Sequence, residues 1–130
     1  MQEDIGKLIH RVMVGGLLLF HGMHKLLNGI APIKAMLAAH NIPDAVAYGV
    51  YLGEIVGPIM VILGLYARVG GALIAVNMIV AVALAGMGSL LSFGPSGGYA
   101  LELEAFYLFA GLTVVLIGAG RFSVGGGRWN

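Results

Sequence analysis

The sequence predicts an all-α integral membrane protein, a single domain over residues 1–130 in which four spanning helices form a bundle. Hydrophobic residues make up 59% of the chain and charged residues only 10%, whereas a soluble domain carries about 25% charged residues. The apolar residues form long continuous runs rather than the alternating pattern of a membrane β-barrel. We therefore expect a lipid bilayer around most of the chain.

Four apolar runs are long enough to cross a hydrocarbon core of about 30 Å as helices. Between the first two, Ile33, Met36 and Leu37 recur at helical spacing after Pro32. This pattern predicts a short amphipathic helix, from Ala31 to about His40, that lies at the membrane interface. The predicted spans cover residues 8–27, 45–66, 69–91 and 99–120.

The connections differ in length and in glycine content. Ala67 and Arg68 predict a very tight turn between the second and third spans, and residues 92–98, with Pro95 and three glycines, predict a loop before the fourth. The tail over residues 121–130 is rich in glycine, and we expect it to be frayed. The N-terminus lacks a basic region before the first run, which favours a retained helix over a signal peptide.

Small residues recur at one spacing in the second span. Gly49, Gly53 and Gly57 repeat every four residues, and such a ridge lets helices pack closely, within one subunit or between subunits. In the third span Asn77 is the one strongly polar residue. We expect it to make a hydrogen bond to another helix.

The basic residues predict an orientation. Four spans place both termini and the connection between spans 2 and 3 on one side of the membrane. That side carries Lys7, Arg11, Arg68, Arg121 and Arg128. The other side carries Lys34, with Lys25 near it. The positive-inside rule therefore predicts cytoplasmic termini, with Arg11, Arg68 and Arg121 as anchors at the inner face.

The first span ends in a polar face, because His21, His24, Lys25 and Asn28 fall three or four residues apart. An unpaired charge in the outer half of a bilayer costs about 2.5–3.5 kcal/mol or more, so these groups need polar partners. The second and fourth spans offer acidic residues at similar depth. We predict a cluster between the helices that contains His21, His24, Lys25, Glu54 and Glu102, with Tyr51 one turn before Glu54.

Three interpretations of this cluster stay open. In a structural one, Lys25 pairs with a carboxylate and stabilises the bundle. In a ligand-binding one, a histidine with a pKa of about 6.5 and a buried carboxylate exchange protons with a quinol or a similar membrane-soluble molecule. In a metal site, His21 and His24 would join the carboxylates, but Lys25 would repel a cation, so we predict none.

The composition also excludes several functions. The chain has no cysteine, which excludes disulfides, Fe–S clusters and thiol catalysis by this chain alone. The net charge is +1 without a basic stripe, so nothing indicates a nucleic-acid partner. No flavin or haem motif is present, and we predict no intrinsic cofactor.

A series of short strings, taken in order, resembles the DoxX family. They are FHG at residues 20–22 with Lys25 and Leu26, YLGEIVG at residues 51–57, LGLYAR at residues 63–68, Glu102, and GAGRFS at residues 118–123. The resemblance implies a small four-helix protein of the bacterial inner membrane, with Lys25, Glu54 and Glu102 in a shared polar core. Two features depart from the family pattern, namely His24 and the glycines that follow Val124.

The resemblance and the cluster together predict a small subunit or partner of a quinone-linked oxidoreductase system. Quinone is the candidate ligand, and a soluble oxidoreductase or a second copy of the chain is the candidate protein partner. Whether the chain is an enzyme stays open, and a non-catalytic subunit is the favoured form. The alternative is a membrane scaffold or assembly factor whose Lys/Glu/His cluster is purely structural.

Overall fold

The structure, a computed structural model that describes residues 1–130, is helical and has no strands apart from one isolated bridge between Phe93 and Tyr99. The predicted all-α class is confirmed. Five helices follow one another: α1 (Gln2–Asn28), α2 (Ala31–Ala39), α3 (Asp44–Leu63), α4 (Ala67–Ser89) and α5 (Glu102–Ile117). Two of them, α3 and α4, are long and apolar enough to cross a membrane.

Helices α1 and α2 begin and end where local chemistry requires. Glu3 and Asp4 lie in the first turn of α1, where their negative charges interact favourably with the positive end of the helix dipole. The helix therefore starts six residues before the predicted span. Gly29, with a φ of 85°, ends α1. Pro32 lies in the first turn of α2, where its missing N–H costs nothing. The predicted short helix is confirmed.

Helix α3 is not uniform, and neither is α4. Helix α3 starts as a 3₁₀ segment (Asp44–Gly49), passes through a π-helical segment (Leu52–Val56) and ends as an α-helix (Gly57–Leu63). Helix α4 is α-helical over Ala67–Ala81 and then becomes π-helical and 3₁₀. Both irregular ends lie near α2, away from the chain termini.

The turn between α3 and α4 lies at Gly64–Tyr66, three residues before the predicted position. Gly64 has a φ of 69°, and its N–H donates to Val61 while the N–H of Leu65 donates to Met60. These are the two hydrogen bonds of a Schellman motif, which needs a left-handed residue after the helix. Ala67 therefore belongs to α4, and the predicted turn at Ala67 and Arg68 is wrong.

Helix α4 lies at the centre of the bundle, packed against α3 and α5, while α1 packs against α3 and α5. Gly71 of α4 and Gly111 of α5 allow these two helices to approach closely, since a Cβ atom on either would lie 2.6–2.7 Å from the carbonyl oxygen of the other. Two of the three glycines in the predicted ridge of α3 make close contacts with α4. Gly53 faces Asn77 and Gly57 faces Gly70, whereas Gly49 has open space around it.

The tail over residues 121–130 is packed, and the prediction that it frays is wrong. The N–H groups of Val124 and Gly125 donate to the carbonyl oxygens of Leu63 and Gly64, at 2.9 and 3.0 Å. The last carbonyls of a helix have no partner within the helix. The tail supplies those partners at the end of α3.

Two arginines that were predicted to anchor the inner face bond to backbone carbonyl groups. Arg11 is 1% exposed, and it donates to the carbonyl oxygens of Val61 and Phe122. Arg68 donates to Val115 at 2.7 Å and to Leu116 at 3.1 Å. Arg11 thus joins the end of α3 to the tail, and Arg68 bonds to the end of α5. Cations are favoured at the C-terminal ends of helices.

The two chain termini lie at the same end of the bundle. The backbone N–H of Arg121 donates to the carboxylate of Asp4 at 3.0 Å, and the α3–α4 turn contacts the tail. Helix α5 covers 16 residues, inside the predicted span of residues 99–120. It begins after the turn around Tyr99 and ends at Gly118, whose φ is 75°.

Candidate ligand site beside Glu54

Glu54 lies on the π-helical segment of α3 and is 4% exposed. Pro58, four residues later, has no N–H and therefore cannot bond to the carbonyl of Glu54 as an α-helix would require. The N–H of Gly57 bonds instead to Leu52, five residues back. Such π-helical turns occur frequently at functional sites.

The Glu54 carboxylate joins three helices. One oxygen, Oε1, accepts a hydrogen bond from the ammonium group of Lys25 on α1. The other, Oε2, accepts one from the Asn77 carboxamide on α4 at 2.9 Å. The predicted pairing of Lys25 with a carboxylate is confirmed, and so is the predicted interhelical hydrogen bond of Asn77. We call Lys25, Glu54 and Asn77 the polar triad.

Tyr51 lies next to this triad. Its hydroxyl donates to the backbone oxygen of Lys25 at 3.3 Å, so it holds the end of α1 rather than a triad side chain. The sequence indicated Asn77 only as a lone polar residue in an apolar span. Its partner lies on another helix, 23 positions away, and so could not be predicted from the sequence. In the structure the Asn77 side chain packs directly against Gly53.

The two predicted histidines lie outside the triad. The face of α1 that packs into the bundle carries Arg11, Val14, Gly15, Leu18 and Gly22. His24 is two residues from Gly22, about 200° around the helix, and it is exposed, with its ring near the Asn28 carboxamide at 3.2 Å. His21 is also exposed, and its ring lies edge-on to Tyr107 at 6.0 Å.

Glu102 is not brought into the triad either. It is exposed in the first turn of α5 and makes no salt bridge. Its position near the N-terminus of the helix is favourable for a carboxylate. No group of three or more His, Cys, Asp or Glu side chains is placed to hold a metal ion.

An apolar groove of about 540 Å³ runs beside the triad, between α2, α3 and α4. Fifteen of its 20 lining residues are hydrophobic, and the only polar side chains among them are Lys25, Glu54 and Asn77. Along α4 the groove extends from Val69 to Ala85, about 24 Å. Its volume is within the usual range for ligand sites, about 300–1,000 Å³.

The groove opens sideways, at the flank of the bundle. Val76 and Leu52 line it and keep 58% and 52% of their surface exposed. At its other end the groove is covered by α2, whose Leu37 is 2% exposed. An apolar molecule can therefore reach the triad along the surface of α4 without crossing a polar region.

Lys34 ties α2 to the start of α3. Its ammonium group donates to the Tyr48 hydroxyl at 3.1 Å and lies 4.9 Å from the centre of the Tyr48 ring. The hydrogen bond to Tyr48 raises the pKa of Lys34 above its ordinary value. This contact holds α2 across the end of the groove.

The fold is thus a helical bundle with strongly apolar helices and a partly buried polar triad around Glu54, beside an apolar groove. The sequence model of the DoxX family matches residues 6–87, more than half of the chain. The chain therefore belongs to the DoxX family, and this membership together with α3 and α4 indicates a membrane protein. No curated protein and no solved structure matches the chain.

Proposed function

We propose that this DoxX-family protein spans the bacterial inner membrane four times and binds a quinone in the groove beside the polar triad. It would act as a small, non-catalytic subunit or partner of a quinone-linked oxidoreductase system. One observation carries the proposal: the only three polar side chains in the wall of a long apolar groove are joined to one another.

The chemistry of the groove suits a quinone, which has a flat ring with two carbonyl oxygens and a long apolar tail. The Lys25 ammonium has three N–H donors, and Glu54 accepts one of them. The others are available to a ring carbonyl. The Asn77 side-chain oxygen makes no hydrogen bond within the protein and is an acceptor for a quinol hydroxyl. The tail would lie along α4.

Electrons must come from elsewhere, since a chain without cysteine, flavin or haem motif has no redox group of its own. A soluble oxidoreductase that docks on the membrane would exchange electrons with the bound quinone. The role of this chain is then to hold the ring at a fixed depth. When the partner gives two electrons to the quinone, the ring also takes up two protons from water, and the Glu54 carboxylate would relay one of them.

The membrane placement has its own support. Helices α3 and α4 are long enough to cross, α1 has 27 residues, and α5, with 16, spans about 24 Å. Both termini lie at one end of the bundle, which is the end of Lys7, Arg68 and Arg121. By the positive-inside rule this end faces the cytoplasm.

A scaffold or assembly role is the second candidate, and one observation favours it. Both carboxylate oxygens of Glu54 already have partners within the protein. A triad that is complete without a ligand is what a purely structural contact requires. In that case the groove would be filled by lipid chains or by a partner helix.

The test is binding of a short-chain ubiquinone, and of a menaquinone analogue, to the full chain purified in neutral detergent. We expect saturable binding, weakened about tenfold by Lys25→Gln, the equivalent of about 1.4 kcal/mol. Val76→Trp should fill the groove and block binding. Ile79→Trp is its control, since Ile79 is equally exposed on α4 but does not line the groove.

Equal binding by Val76→Trp and Ile79→Trp would show that the groove is not the site. If the unmodified protein binds neither quinone while Glu54→Gln lowers its melting temperature, the scaffold role is correct.

A further inference from the structure

A second cavity, of about 410 Å³, lies at the end of the bundle where the termini meet. Its wall is formed by the start of α1, the start of α4, the end of α5 and the tail. Only two of its 12 lining residues are hydrophobic, so its chemistry is the opposite of that of the groove. Three cations line it: Lys7, Arg68 and Arg121. We call it the basic pocket.

The cations of the basic pocket have no acidic partner. The chain contains two salt bridges, Lys25 with Glu54 and the N-terminal amine with Asp4, and neither involves these residues. Arg68 uses one guanidinium nitrogen on α5 carbonyls, and its Nε is buried without a hydrogen bond. The Asp4 carboxylate, which does not line the pocket, accepts the backbone N–H of Arg121. The lining of the pocket therefore contains three cationic side chains and no acidic side chain.

The backbone adds further donors. The N–H groups of Gly120, Gly126 and Gly127 line the pocket and make no hydrogen bond within the protein. Gly120 and Gly127 have φ values of 78° and 88°. Free backbone N–H groups in loops of this kind are donors that anion sites commonly use. A Cβ atom on Gly118 would lie 2.8 Å from an Arg68 guanidinium nitrogen. Glycine at this position therefore leaves room for the Arg68 side chain in the wall of the pocket.

We propose that the basic pocket binds a phosphate group, and that its source is the headgroup of an anionic phospholipid. Unpaired cations and free N–H groups are the recognition chemistry of phosphate. The pocket lies at an end of the helices, the level at which headgroups are found, and basic pockets between membrane helices on the cytoplasmic side bind such headgroups. Inorganic phosphate is the other source of the same group. This inference does not depend on quinone binding.

The experiment uses the full chain in neutral detergent and measures, by native mass spectrometry and by titration, binding of phosphatidylglycerol, phosphatidylcholine and inorganic phosphate. We expect phosphatidylglycerol to bind more tightly than phosphatidylcholine. Lys7→Gln and Arg121→Gln should each weaken it about fivefold. Arg128→Gln is the matched control, because Arg128 is an exposed tail arginine outside the pocket that lies over the Trp129 ring.

The variants also separate the two sources. One outcome is that inorganic phosphate binds and is lost in Lys7→Gln and Arg121→Gln, while phosphatidylglycerol binds no more tightly than phosphatidylcholine. That result would confirm the basic pocket as a phosphate site and identify the free anion as its occupant. Equal binding of phosphatidylglycerol by all three variants and by the unmodified chain, or no binding of either anion, would overturn the proposal. Lys7 and Arg121 make no side-chain hydrogen bond, and a melting curve of each variant checks that the fold is intact.

Discussion

Gly22 of α1 lies directly against the backbone carbonyl of Glu54 on α3, and no space for a Cβ atom remains between them. That carbonyl has no α-helical partner, because Pro58 occupies the position that would donate to it. The close approach brings Lys25, one turn after Gly22, to the Glu54 carboxylate. A glycine on one helix and a proline on another thus prepare the polar triad.

A Gly22→Ala substitution should therefore separate α1 from α3. We expect the free energy of unfolding to fall by about 1–3 kcal/mol, as in other overpacked interiors, despite the better helix propensity of alanine. The measurement is thermal unfolding in detergent, followed by circular dichroism. Gly16→Ala is the control, since Gly16 has nothing within 4 Å, and it should be neutral or slightly stabilising. Equal melting temperatures for the two variants would contradict this packing.

Glu54→Gln should destabilise the protein because it leaves the Lys25 ammonium without a counter-charge. Removing one partner of a fully buried pair costs about 3–5 kcal/mol, and Lys25 keeps 28% of its side chain exposed, so we expect about 1–3 kcal/mol. Glu102→Gln, at an exposed carboxylate, should stay within about 0.5 kcal/mol of the unmodified protein.

A Lys25→Met/Glu54→Gln double variant should recover part of that loss, because neither charge remains. Double-mutant analysis of the four melting curves gives the coupling energy. Additive losses in the two single variants would mean that the pair contributes no coupling, and the triad would lose its structural role.

Asn77→Ala should remove the only side-chain partner of Glu54 Oε2. Interhelical hydrogen bonds in membrane proteins contribute about 0.6 kcal/mol on average and at most about 1.7 kcal/mol to stability. Because the acceptor is a charged carboxylate oxygen, we expect a loss near the upper value. Asn28→Ala removes an equivalent amide that bonds only within α1, and it should change stability by less. A larger loss in Asn28→Ala than in Asn77→Ala would argue against this ranking.

Amide hydrogen exchange in the tail should be slow at two neighbouring residues and fast at the next two. Val124 and Gly125 donate to α3 carbonyls and should be protected, whereas Gly126 and Gly127 have no acceptor and should exchange rapidly. Residue-resolved NMR of the protein in micelles measures both. Uniformly fast exchange from residue 121 onwards would mean that the tail is frayed, as its glycine content alone had suggested.

Several features followed directly from the residues. Apolar content and the near absence of charge determine the helical, membrane-like class, because such a chain cannot cover a water-facing surface. The spacing of Ile33, Met36 and Leu37 determines α2, and Gly64, which ends α3, is a helix-end signal present in the sequence. Lys25 and Glu54 were recognisable because charged residues in apolar helices need partners.

Other features required the tertiary structure. The rotation of α1 about its axis decides that Lys25 reaches Glu54 while His24 points away, and that rotation depends on the close contact at Gly22. The packing of the tail against α3 and the use of Arg11 and Arg68 on helix ends depend on carbonyls far along the chain.

By itself, then, the sequence determined which residues must be buried, which must be paired and where the helices form, since these follow from local composition and spacing. Only the tertiary structure decided which polar groups meet. Helix pairing depends on distances across the bundle to which a few glycines and one proline contribute, and these contacts join residues tens of positions apart.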